Sequence, residues 1–124
     1  MIISLNTVVF ILLIHFLGDF GLQTNDQATK KSTSEHYLFL HVGTYSLVWL
    51  IAIYAMLGNM SFTFLFAFIT FICHYLTDFI TSKISKKFFD ANDYHNGFVT
   101  IGFDQMTHVI QLLFTYELLL TIHI

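Results

Sequence analysis

Four long apolar stretches decide what this chain can become: about residues 2–22, 36–57, 61–82 and 98–122. Each is long enough to cross a hydrocarbon core of about 30 Å, which takes about 20 helical residues. Uninterrupted runs such as Ser61 to Ile72 lack the dyad alternation of barrel strands, and helices satisfy their backbone hydrogen bonds internally, as lipid demands. Fifteen phenylalanines and a mean hydropathy of +0.70 exceed what a soluble core of 124 residues hides, and only 10% of the residues are charged. The single cysteine, Cys73, excludes a disulfide scaffold, and a net charge of -3 argues against nucleic acid as a partner. The reading is an all-α integral membrane four-helix bundle, one domain spanning 1–124, with the lipid bilayer as its surroundings. Its Phe-rich faces suit lipid and equally suit a homo-oligomer. The first stretch has no basic leader and no small-residue cleavage site, and it carries His15 and Asp19, so it reads as a retained helix and not a signal peptide.

Lysine placement orients the bundle. Lys30 and Lys31 follow the first stretch, Lys83, Lys86 and Lys87 follow the third, and there is no arginine. In an up-down bundle both sets fall on one side, which the positive-inside rule makes cytoplasmic. Both termini and the turn at Gly58-Asn59-Met60 then face outward. The segments 23–35 and 83–97 are expected as polar loops.

Ionisable residues inside a span cost at least a few kcal/mol, so each needs a reason. His15 and Asp19, His74 and Asp78, and Asp104 and His108 are three pairs at i, i+4, a spacing that puts both partners on one helix face. The order is His then Asp on inward-running helices and Asp then His on the outward-running one. All three therefore set aspartate nearer the cytoplasm and histidine deeper, roughly 5–15 Å below the helix ends. His41 joins them at the aspartate level, and Gln105 stands beside Asp104. Gly18, Gly21, Gly43 and Gly102 allow close helix approach near this depth.

Three chemistries fit such a cluster. A hydrogen-bond network could fix helix packing, although such networks usually use Ser, Thr, Asn or Gln. A proton or small-ion pathway could run through the Asp/His chain. A metal site suits the residue types best: imidazole with carboxylate favours zinc, and also accepts iron or manganese. The expected ligand pool is His15, Asp19, His41, His74, Asp78, Asp104 and His108, with His15, His74 and His108 as the principal nitrogen donors. Such a metal lowers the pKa of a bound water toward about 7 and polarises a phosphoryl or carbonyl oxygen. That makes a metal-dependent hydrolase of a phosphorylated or membrane-associated substrate the leading expectation, with Asp19, Asp78 or Asp104 as general base. Gln23, Lys83 and Gln105 are the candidate substrate contacts, although Gln23 equally suits an interfacial cap and Lys83 a snorkelling position. The alternatives are a small-ion or proton transport or binding protein, and an accessory membrane protein acting through partner contacts.

His15-Phe-Leu-Gly-Asp19-Phe20 also matches His74-Tyr-Leu-Thr-Asp78-Phe79, a faint internal repeat. Taken together, His15-x3-Asp19-Phe20-x2-Gln23, Leu40-His41, His74-x3-Asp78 with Lys83, and Phe103-Asp104-Gln105-x2-His108 resemble the small integral membrane proteins grouped as domain of unknown function 3307. The resemblance covers nearly the whole chain. It implies a bacterial or phage-encoded protein of the cytoplasmic membrane and carries no assigned activity. A looser likeness, of fold only, runs to a bacterial inner-membrane family of metal-dependent hydrolases.

Overall fold

The structure, a computed structural model, describes residues 3–123, without the side chain of His123. The expected start of the first stretch at Ile2 lies outside the described residues. Among those residues every element is helical: α1 Leu5–Phe16, a widened turn Leu17–Gly21, α2 Asn25–Lys30, α3 Glu35–Leu57, α4 Met60–Asp90 and α5 Tyr94–His123. Two of them, α3 and α4, are long and apolar enough to cross a membrane. The apolar run of Leu5–Gly21 is shorter, and α5 carries Asp104, Gln105, His108 and Gln111 through its middle.

The stop signals are local. Gly58 ends α3 at φ +64°, a left-handed conformation that costs a side chain-bearing residue more than glycine. Asn59 then caps α4 by accepting the Phe62 N–H at 3.0 Å. The first stretch breaks its α geometry earlier than expected. After Phe16 the helix widens, and the Leu22 N–H reaches back five residues to the Leu17 carbonyl at 2.9 Å.

Two expected loops are shorter than the sequence suggests. The segment 23–35 contains α2, started by a reciprocal cap in which Thr24 and Gln27 each accept the other's backbone N–H. The segment 83–97 is mostly helix, because α4 continues to Asp90 and α5 begins at Tyr94. An i, i+4 ion pair from Lys86 to Asp90 supports the extension. Phe89 packs edge-on against Phe98 across the hairpin, 5.3 Å between ring centres.

The helices pack with α4 between α3 and α5, and α1 lies against α3 and α5. Away from the lysines the interior is a plug of Ile11, Tyr45, Trp49, Ile53, Phe62, Phe66, Leu112, Tyr116 and Leu119. Trp49, Tyr45 and Phe66 are fully buried, and aromatic rings of this size dominate core energetics. The outside is as apolar as the inside: Phe68 is 65% and Phe114 70% exposed. Gly18 lets the widened turn approach α3, since a Cβ there would meet Tyr45 Cδ2 at 2.9 Å.

Candidate metal centre

At the lysine end of the plug the ionisable residues meet. His15, Asp19, His41, His74, Asp78, Asp104 and His108 are all buried. Asp19 and His15 come from the first stretch, His41 from α3, His74 and Asp78 from α4, and Asp104 and His108 from α5.

Four atoms converge most closely. His41 Nε2 lies 3.0 Å from Asp19 Oδ1 and 3.3 Å from Asp78 Oδ2. His74 Nε2 lies 3.4 Å from Asp19 Oδ1 and 3.7 Å from Asp78 Oδ2. The two Nε2 atoms are 3.1 Å apart. Asp19, Asp104 and His108 form a second group with converging donor atoms. Two imidazole nitrogens and two carboxylate oxygens at one point hold more lone pairs than protons can comfortably satisfy. That is the donor set of a borderline cation.

The surrounding hydrogen bonds have a readable direction. Carboxylates only accept, so the Gln105 amide nitrogen donates to Asp19 Oδ2 at 2.7 Å and to Asp104 Oδ2 at 3.1 Å. Its carbonyl oxygen then faces His15 Nε2 at 2.8 Å, and that nitrogen donates. His15 Nδ1 is left to accept the Tyr45 hydroxyl at 2.7 Å. A directed chain thus runs from Tyr45 through His15 and Gln105 to Asp19 and Asp104. On the other side, a neutral His108 donating from Nε2 to Asp78 Oδ1 at 2.9 Å presents a bare Nδ1. It accepts the His74 Nδ1–H at 3.1 Å. With that tautomer of His108, His74 would aim an unprotonated Nε2 at the convergence point, the state a metal ligand needs.

Not every expected residue arrives. His15 has both nitrogens engaged by Tyr45 and Gln105 and stands outside the four-atom convergence. Lys83 is exposed and lies over the Phe79 ring, 3.2 Å from its centre, away from the cluster. Gln23 lines a cavity of about 390 Å³ that opens on Asp19, Asp78 and Asp104 from the lysine end, and its buried Oε1 has no partner.

Three contacting residues went unread in the sequence. Lys31 Nζ sits 2.8 Å from Asp78 Oδ2. Burial works to lower the pKa of this ammonium, but Asp78, then Asp19 and Asp104, hold it above the usual lysine value. The Thr81 hydroxyl donates to Asp104 Oδ1. Tyr45 stacks on His74 with ring centres 3.9 Å apart. Helical spacing carried the signal for two of them: Tyr45 is four residues after His41, and Thr81 three after Asp78. No local pattern marks Lys31, which reads as an orientation charge until α2 folds back over the cluster.

A family model described as "Protein of unknown function (DUF3307)" matches residues 7–124. No curated protein and no solved structure matches the chain.

Proposed function

We propose that this chain, which belongs to the family of proteins of unknown function DUF3307, holds a divalent metal at its Asp/His cluster and uses it for hydrolysis. The supporting observation is the four-atom convergence of Asp19, His41, His74 and Asp78. A tetrahedral ion with bonds of about 2.0–2.1 Å sets its ligand atoms about 3.3–3.4 Å apart. The nitrogen–oxygen and nitrogen–nitrogen separations here run from 3.0 to 3.7 Å. Zinc fits this set first, with iron or manganese next.

In this reading Asp19 Oδ1, His41 Nε2, His74 Nε2 and Asp78 Oδ2 are the ligands. His108 fixes the tautomer of His74, and His15 acts through Gln105 on Asp19 and Asp104. A bound metal supplies a water made acidic enough to attack at neutral pH. Asp104 lines the same cavity outside the four-ligand set, its oxygens accepting from Thr81 and Gln105, and is the carboxylate placed to take a proton from a water there. The setting we propose is a four-helix membrane bundle with its lysine end in the bacterial cytoplasm and both termini outside. The apolar exterior and the apolar lengths of α3 and α4 support it. Transport is the rival reading, and a proton or ion would then have to cross the aromatic plug around Trp49 and Phe66.

Elemental analysis of the detergent-purified protein tests the metal. Near-stoichiometric zinc, iron or manganese is expected in the wild type, and none in His41→Ala or His74→Ala. A wild type that takes up no metal even from excess would sink the reading. Ion flux in proteoliposomes that depends on Asp19 or Asp78 would favour transport.

A further inference from the structure

The cavity above the cluster has carboxylates on its floor and lysines on its wall. All five cationic side chains of the molecule, Lys30, Lys31, Lys83, Lys86 and Lys87, lie at its end of the fold. Seven of the eight acidic side chains share that end, so the lysines act as local partners and not as a net positive field. Its volume of about 390 Å³ falls at the small end of the roughly 300–1,000 Å³ typical of ligand sites. Its floor is Asp19, Asp78 and Asp104, and its walls include Lys31, Lys86 and Ser82. Ser82 Oγ is buried there without a partner.

Lys31 gives the cavity its chemistry. Its ammonium lies on Asp78 Oδ2, the same oxygen assigned above to the metal. Two cations compete for one carboxylate oxygen. A metal held by Asp78 would repel Lys31 and would leave its N–H donors available to the cavity that it lines. An ion on the floor, the ammonium at the wall and the unpartnered Ser82 hydroxyl would then offer positive or donor groups to one ligand. A carboxylate offers two oxygens in one plane. A tetrahedral phosphoryl group offers three that diverge.

We propose that this cavity receives the phosphoryl group of a phosphate monoester, one oxygen toward the metal position and the others toward Lys31 and Ser82. The proposal rests on the metal reading above and names the substrate class for that site.

Calorimetric titration of the zinc-loaded protein in detergent with orthophosphate tests it, with zinc content measured on the same samples and acetate as the control anion. Orthophosphate should bind the zinc-loaded form and not the metal-free form, and acetate should not bind. Lys31→Gln and Ser82→Ala should each weaken orthophosphate about tenfold, the loss of one good hydrogen bond to a charged group, while zinc stays stoichiometric. Ser82→Ala removes only a side-chain oxygen and guards against misfolding of the lysine variant. Full zinc with no orthophosphate binding, equal affinity for acetate, or unchanged affinity in both variants would overturn the proposal and leave the metal reading standing. Failure to load zinc, iron or manganese would overturn both. Two lipid settings separate the sources of the phosphate. Competition with orthophosphate in phosphatidylcholine bilayers containing phosphatidic acid, absent in pure phosphatidylcholine, identifies a lipid headgroup. No competition identifies a soluble ester.

Discussion

At the level of single residues, the distinction that matters is between groups that touch the metal position and groups that hold them. His108 and His15 lie one hydrogen bond away, and removing such partners typically costs 10- to 100-fold in metal affinity. His108→Ala is therefore expected to bind zinc about 10- to 100-fold more weakly than wild type, read by competition with a chelating indicator, while His74→Ala loses it. Unaltered affinity in His108→Ala would contradict the proton arrangement between His108 and His74. Tyr45→Phe removes the donor to His15 and should cost about 1 kcal/mol of stability with the metal retained, measured by denaturant unfolding and elemental analysis. Much of this site was legible in the sequence. The i, i+4 pairs and the shared depth single out the seven residues that the fold brings together. Which of them face inward was not legible, because a heptad position fixes a helix face and not the rotamer on it. The sequence favours His15 over His41 as a nitrogen donor, yet it is His41 that meets Asp78.

Among the elements, the widened turn Leu17–Gly21 and the short α2 shape the site more than the long helices do. The turn sets Asp19 beneath His41, and Gly18 within it admits the Tyr45 ring. Gly18→Ala would place a methyl 2.9 Å from Tyr45 Cδ2. It is expected to lower thermal stability and weaken metal binding together, because Tyr45 carries the chain through His15. Binding as tight as wild type would show that the Tyr45 ring can give way without cost. The capping box of α2 aims Lys31 at Asp78. Thr24→Ala should lower stability by about 1 kcal/mol, with faster amide exchange confined to 24–31. These elements escape sequence reading for a physical reason. A π-type widening leaves hydropathy unchanged, and a six-residue helix has too little periodicity to stand out from a polar loop. The extension of α4 past Ser82 was missed differently. Its lysines read as a loop, whereas the helix continues beyond the apolar run to Asp90 and Phe89 packs on Phe98.

For the whole molecule, the division is axial: aromatic plug at one end, charged chamber at the other. If that axis is the membrane normal, an alkaline phosphatase fusion after Ile124 should be active outside the bacterial cytoplasm and a fluorescent-protein fusion there dark; the reverse pair would invert the proposed topology. Metal occupancy should also set stability. A ligand at 100 times its dissociation constant contributes about 2.7 kcal/mol, so chelation should lower the melting temperature of the wild type and leave that of His74→Ala unchanged. The axial layout has a further consequence, for how the protein is made. Asp19, His41, His74 and Asp78 all precede residue 79, and α5 adds only the groups that steady them. A ribosome releasing the chain from its N-terminus would deliver the complete proposed ligand set before the last helix exists. If the cluster holds a metal as proposed, the last helix would arrive as a latch: until α5 docks, His74 lacks its His108 neighbour, and an ion held by the earlier helices would be held more weakly.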